Sequence, residues 1–257
     1  MMVLPGMRSG ATRPGAITDD AITPDTGVAT TMEIRFLGHA AFEFSDGDTS
    51  VLIDPFLTGN PKAAIAADEL HPQAILLTHG HGDHIGDTVP IAKRACADVV
   101  AIVEIANELS GDGVEQVHDP NLGGTVTLDW GSVKLVPAWH TSTTPKGTAN
   151  VPAGLIVRFA GKTIYHLGDT ALFSDMRLIG ETEAPIDVAL MCIGGHYTMD
   201  RHDAVTAAKL IGAKQVIPCH YDTFPLIETD AHAFKAEVQA GGASEVVVLA
   251  PGETHTP

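Results

Sequence analysis

The chain predicts an α/β fold of the α+β kind, a four-layer αββα sandwich in which two mixed β-sheets pack face to face between helices. Three observations lead there. Short apolar runs of strand length occur in both halves, tight turn signals join several of them into hairpins, and segments of helical pattern are interleaved with the rest. Apolar residues make up 44% of the 257 residues, enough for a sizeable core. Between Met32 and Pro257 no stretch reads as an interdomain linker, so residues 32–257 are expected to form one domain.

The elements follow in order. Residues 1–31 are rich in Gly, Pro, Thr and Asp without periodicity and read as a disordered extension or an overlong start, with Met32 as the expected true beginning. Strands at 33–37, 41–44 and 50–53 form a meander that turns at Asp46-Gly47-Asp48. A short helix is expected at 63–69 and a buried strand at 74–77. A further helix at 87–95 holds Pro90 in its first turn, where the missing N–H has no helical partner to lose. Strands at 99–103 and 114–117 flank a helix at 104–109. The second half repeats the style, with strands at 126–128, 133–137, 154–159 and 163–166 and a hairpin turn at 160–162. A helix at 175–180, an apolar strand at 187–193 and an amphipathic helix at 203–211 come next. A strand at 215–218, a helix at 230–239 and a last strand at 245–249 complete the chain. The two halves are not similar enough to claim a sequence repeat.

Lys and Arg number 15 against 32 Asp and Glu, a net charge of −17, which is the wrong sign for neutralising phosphates and argues against a nucleic-acid partner. Cys96, Cys192 and Cys219 are scattered and odd in number, so no disulfide framework is expected. No run approaches the roughly 20 apolar residues of a membrane span, and residues 1–31 lack the apolar core of a signal peptide. A cytoplasmic protein acting on a small molecule is the expectation.

The chemistry concentrates in His79-Gly80-His81-Gly82-Asp83-His84, directly after the apolar run at 74–77. Residues two apart on an extended segment point the same way, so His79 and His81 can grip one ion. Asp83 and His84 are adjacent; on a turn or at a helix start both can reach a second ion, with Gly80 and Gly82 allowing the tight backbone. His140, Asp169 and His220 each follow a predicted strand, where loops gather and sites form, and they complete the ligand count.

In that order these residues resemble the metallo-β-lactamase superfamily. Phe36-Leu37-Gly38-His39, the stretch from Leu52 through Asp54-Pro55 to Pro61, Gly168-Asp169-Thr170, Ile193 through His196-Tyr197 to Asp200, and His220-Tyr221-Asp222-Thr223-Phe224 narrow the resemblance to one branch. That branch holds metal-dependent hydrolases without assigned substrates and is similar to ascorbate-6-phosphate lactonases and N-acyl-phosphatidylethanolamine phospholipases D. The resemblance runs from Met32 to the end. It implies two divalent ions per chain: His79, His81 and His140 on the first, Asp83, His84 and His220 on the second, and Asp169 bridging. A shared hydroxide would then cleave an ester, lactone or phosphodiester. The His-rich set favours zinc, with manganese or iron as alternatives. A homo-oligomer would suit the resemblance.

Around this set, Asp83 and Asp169 carry catalytic roles. His196 is either a general acid and substrate contact or a hydrogen-bonded structural histidine. His39 is a support or pocket residue or simply structural; Asp54 either accepts a proton from a ligand imidazole or ends its strand in a turn. Tyr221, Thr141 and Thr170 flank ligands and are placed near substrate. Trp139 reads as packing and Cys219 as a buried filler. Two rivals remain beside hydrolysis. A mono-iron persulfide dioxygenase would retain the same histidine string, and a silent metal-binding scaffold or sensor would be expected to lose ligands. Diiron flavoproteins of the superfamily place Glu where His81 stands, which sets them aside.

Overall fold

A computed structural model describes residues 31–257; the expected extension at 1–31 lies outside the described residues except for Thr31. The first sheet begins with the meander β1 (Glu33–Gly38), β2 (Ala41–Ser45) and β3 (Ser50–Ile53). It continues through β4 (Ala74–Leu76), then α1 (Gly82–Ile85), α2 (Thr88–Ala95), β5 (Asp98–Val100), α3 (Val103–Gly111) and β6 (Val117–His118). Strands β3 to β6 run parallel, because a long loop after β3 and helical crossovers after β4 and β5 carry the chain back before each next strand.

The second sheet repeats the plan. The meander β7 (Thr125–Leu128), β8 (Gly131–Pro137), β9 (Ala153–Phe159) and β10 (Lys162–His166) is antiparallel. After α4 (Met176–Thr182) come β11 (Val188–Cys192), α5 (Arg201–Ile211), β12 (Gln215–Cys219), α6 (Ala231–Ala240) and β13 (Glu245–Val246), with β10 to β13 parallel. The final strand, β14 (Thr254–His255), crosses back to pair antiparallel with β1. Each sheet thus has seven strands and is mixed.

Alternation along the strands separates two apolar layers. Leu155, Val157 and Phe159 of β9 and Ile217 of β12 join β1–β5 in the core between the sheets, whereas Ile156 and Val216 face α4, α5 and α6. Ile91 and Ala92 of α2 and Ile105, Ala106 and Leu109 of α3 cover the outer face of the first sheet. Phe42 and Phe44 are fully buried at the centre, where truncation to Ala would cost about 3–5 kcal/mol each. The four layers of the sequence expectation are present.

Local signals explain most element ends. The Asp200 side chain accepts hydrogen bonds from the His202 and Asp203 amides at the start of α5, and Gly212 at φ 66° closes it. Asp230 caps α6 through the Ala233 amide. Ala160 and Gly161, at φ 45° and 75°, make the two-residue turn between β9 and β10.

Five expectations need correction, the first being the strand at 99–103, which stops at Val100 because Ile102 caps α3 and Val103 opens it. The helix expected at 63–69 shrinks to a single turn of 3₁₀ helix at Ala67–Glu69, with Ala66 as its N-cap and the Ala66 amide donating to Glu69 Oε1. The strand expected at 114–117 is displaced to β6, because Val114 N–H closes the end of α3 on Leu109 O. The strand expected at 245–249 stops at Val246. Trp139, read as packing, is 65% exposed.

Candidate metal centre

Every ligand-type residue singled out from the sequence leaves the C-terminal end of a strand, and both sheets point those ends at one place. His39 follows β1, Asp54 follows β3, His79 to His84 follow β4, His140 follows β8, Asp169 follows β10 and His220 follows β12. Open sheets bind ligands at this edge because the connecting loops are free of the ladder there.

His81 sits at the N-cap of α1, so Asp83 and His84 lie on a helical turn rather than on a strand and face one centre together. Gly80 serves a purpose other than backbone freedom: a Cβ there would stand 2.6 Å from Asn150 Nδ2 and 2.8 Å from Thr144 Cγ2. Its amide donates to Ser142 Oγ at 2.9 Å, tying the His79–His81 segment to the loop that follows His140. Gly168, at φ +64°, does provide conformational freedom, and a Cβ on it would press to 2.7 Å from Ala153 O. The chain can therefore turn sharply at the end of β10 and present Asp169.

The side chains gather into three overlapping groups whose ligating atoms lie within 4.8 Å of one another. These are His79, His81 and His140; His39, Asp83, His84 and His220; and His79, His84 and Asp169. Asp169 stands between the groups, with Oδ2 at 3.1 Å from His220 Nε2, 3.6 Å from His140 Nε2 and 3.9 Å from His79 Nε2, and Oδ1 at 3.4 Å from His84 Nε2. His84 Nε2, Asp169 Oδ1 and both ring nitrogens of His220 are buried without a hydrogen-bond partner. Such orphaned atoms normally cost stability; His84 Nε2, Asp169 Oδ1 and His220 Nε2 face one another, which fits a cation that satisfies them together.

Electrostatics point the same way. Burial alone would raise the Asp169 carboxyl, but the imidazoles of His220 and His84 outweigh it and hold it well below the usual carboxylate range. At His84, burial is overcome by Asp169 and Asp54, which raise its pKa well above the ordinary histidine value. His79 is pushed well below that value by burial and by His84. The two carboxylates flanking His84 concentrate negative charge at the centre, beside His79, a setting in which a cation is held.

Asp54 is fully buried and fully used. Oδ2 accepts from Thr78 Oγ1 at 2.6 Å and from His84 Nδ1 at 2.8 Å, and Oδ1 accepts from the Thr78 amide at 2.9 Å. This locks the His84 ring with Nε2 turned to the centre. His39 stands within reach of the second group, but both nitrogens are engaged, Nε2 by Asp83 Oδ2 at 3.1 Å and Nδ1 by Thr223 Oγ1 at 2.8 Å. Burial lowers its pKa to about 4, so it is a neutral prop for Asp83 at neutral pH.

A model of the beta-lactamase superfamily domain matches residues 49–221, a span holding all seven expected ligands. A UPF0173 metal-dependent hydrolase of Symbiobacterium thermophilum is 51% identical over 227 residues, 88% of this chain and 100% of that protein. The chain belongs to the metal-dependent hydrolases of the beta-lactamase superfamily. A second member, from Thermus thermophilus, is 48% identical over 223 residues, 86% of this chain and 97% of that protein. Among solved structures, Igni18, a metallo hydrolase from the hyperthermophilic archaeon Ignicoccus hospitalis, superposes with a TM-score of 0.81 at 38% identity. The match covers 89% of this chain and 99% of that one.

In this hydrolase the centre opens into a cavity of about 530 Å³, a volume suited to a small molecule, with His81, Asp83, His140, Thr141, Asp169 and His220 in its walls. Among the described residues no helix is long and apolar enough to cross a membrane. Three flanking residues do not line this cavity. His196 is exposed, with its ring edge-on to Tyr197 at 4.5 Å, and Tyr197 lines the cavity while His196 does not. Tyr221 lines a second cavity with Phe36 and Lys62. Thr170 is buried and accepts the Trp139 amide.

Sequence reasoning passed over Thr78 and Thr223, which orient Asp54 and His39, and Ser142. Thr78 directly precedes His79 and Thr223 lies three residues after His220, but a lone hydroxyl in a loop has no signature. Phe224, which ends a quoted motif, is also in the cavity wall, and so are Pro225 and Leu226, which carry no sequence signal of function.

Proposed function

We propose that the chain hydrolyses an ester, lactone or phosphodiester in a small molecule, using two divalent cations, zinc by preference. His79, His81 and His140 would hold the first, Asp83, His84 and His220 the second, and Asp169 both. The observation that carries this reading is the gathering of those seven side chains into overlapping groups, four of the histidines within 4 Å of Asp169, with His84 Nε2, Asp169 Oδ1 and His220 Nε2 buried and satisfied by no protein group. Cations held there supply Lewis acidity and lower the pKa of water from about 15.7 towards about 7.

The protein's own groups do the rest. Asp54, held by Thr78, fixes His84; His39, held by Thr223, fixes Asp83 Oδ2. The Asp83 carboxylate reaches the cavity wall, where it orients the attacking water by hydrogen bond. In the net reaction the scissile carbon–oxygen or phosphorus–oxygen bond breaks, water's oxygen takes its place, and its proton passes to the leaving oxygen.

The test is a panel of esters, lactones and phosphodiesters offered to the metal-loaded chain and to Asp169→Ala. Turnover lost in the variant with circular dichroism unchanged is the expected result. Full activity in Asp169→Ala sinks the reading, as does sulfur-dependent oxygen uptake in place of hydrolysis.

A further inference from the structure

Large apolar side chains project into solvent at few places among the described residues, and two of the five flank the metal centre. Tyr197 is 51% exposed and Leu226 58%, and both line the cavity, with Phe224 and Pro225 beside Leu226. Their exposure is built into the loops. Ile227 is fully buried, its amide donates to Phe224 O and its carbonyl accepts from the Asp222 amide, so the turn Pro225–Ile227 is pinned with Leu226 held outward. On the facing loop, Met199 is buried, its amide donates to Thr170 O and its carbonyl accepts from the Gly195 amide, which fixes the turn that presents Tyr197.

A pinned apolar wall beside a reaction centre is a recognition surface, since a contiguous exposed patch of this kind costs solubility without a ligand to cover it. The cavity's charge is equally telling. No Lys or Arg lines it among the described residues, and its two carboxylates, Asp83 and Asp169, belong to the ion-binding set, so away from the ions the wall offers no cationic side chain. A phosphate or carboxylate carried away from the scissile bond would find no bidentate partner there and would approach a chain of net charge −17.

We infer that the group flanking the scissile bond in this enzyme's substrate is an uncharged alkyl or aryl chain lying between Tyr197 and Leu226. The substrate is then an acyl ester or an alkyl-substituted lactone rather than a phosphorylated or carboxylated small molecule. This assignment rests on the hydrolytic reading above and deepens it. Full burial of a methylene is worth about fourfold, so on a half-covered wall each added methylene raises kcat/KM about twofold.

The metal-loaded full chain is assayed with 4-nitrophenyl acetate, 4-nitrophenyl hexanoate and the mono-4-nitrophenyl ester of adipic acid. Hexanoate is expected to exceed acetate about 16-fold in kcat/KM, four methylenes at about twofold each. The adipate, with a carboxylate on a chain of the same length, falls about tenfold or more below hexanoate. In Leu226→Ser and Tyr197→Ser the hexanoate-to-acetate ratio drops to about fourfold or less, with melting temperatures checked because both side chains lie on the surface. A ratio near one, a preference for adipate, or an undiminished ratio in both variants overturns the inference. If neither ester is cleaved, the hydrolytic reading is what fails, and binding of hexanohydroxamate and acetohydroxamate by calorimetry decides this one. Tighter hexanohydroxamate binding that both variants weaken upholds it; equal affinities overturn it.

Discussion

Replacing Asp54 with Asn keeps the side chain's shape and removes one acceptor, at a position with no solvent to compensate. Asp54 accepts three hydrogen bonds: Oδ1 from the Thr78 amide, Oδ2 from Thr78 Oγ1 and from His84 Nδ1. An Asn amide can direct its oxygen to only one side. With the oxygen towards the Thr78 amide, its NH₂ faces His84 Nδ1 and forces the ring to accept there, so the proton moves to Nε2 and the lone pair that faces Asp169 is lost. With the oxygen towards His84, the NH₂ meets the Thr78 amide donor head-on and leaves a buried donor unpaired at about 1–3 kcal/mol. Losing a carboxylate that orients a ligand imidazole typically costs 10–100-fold in metal affinity, or about 1.4–2.8 kcal/mol. The two figures agree, so Asp54→Asn should weaken metal binding by about that factor in a chelator-competition titration and lower turnover alongside. Unaltered metal affinity in a folded Asp54→Asn would refute the placement of His84 in the ion-binding set.

Two further outcomes are expected. Chelation should lower the melting temperature: a cation at a hundredfold excess over its Kd stabilises by about 2.7 kcal/mol, and at about 2–4 °C per kcal/mol the shift is about 5–11 °C, so a scan unchanged by chelator would contradict the site. Glu183 is 6% exposed and binds Lys134 at 2.6 Å and Arg158 at 2.7 Å; burial raises its pKa, but the two cations outweigh this and depress it. A depressed carboxylate stabilises above its unfolded pKa of about 4.3 and loses that contribution as pH falls through the folded value. Both cations are part-exposed, which limits the contribution to about 1 kcal/mol. Glu183→Gln should therefore melt about 2–4 °C lower at pH 7, with the gap closing below about pH 4; a gap that persists in acid would show that the loss is one of packing.

How legible the molecule is from sequence depends on whether a feature is written locally. The meander at 33–53 and the hairpin at 154–166 are readable because strand alternation and turn residues sit side by side, and the observed strands match to within a residue or two. β14 is not readable: two residues with no pattern pair with β1 only because the second sheet delivers the chain back to that edge. The helix expected at 63–69 is one turn only, at Ala67–Glu69, where good local composition did not decide the backbone of 63–66.

The site divides along that line too. His79 to His84 cluster in sequence, and the helical turn that lets Asp83 and His84 face together is one of the arrangements their adjacency allows. Asp54 declares itself only through position, and its three hydrogen bonds depend on β3 lying beside β4. Thr223 reaching His39 across 184 residues, and Leu226 standing over the cavity, are products of tertiary structure. At the turn that holds His196 at φ 49°, it is the neighbour Tyr197 that lines the cavity wall, a detail of backbone conformation that position after a strand does not convey.

The number of divalent ions per chain, measured by elemental mass spectrometry on the purified, metal-reconstituted protein after exhaustive dialysis, bears most directly on the centre. Two ions per chain are expected from His79, His81 and His140 on one side of Asp169 and Asp83, His84 and His220 on the other. A single ion per chain, or none, would contradict a site in which Asp169 serves both groups.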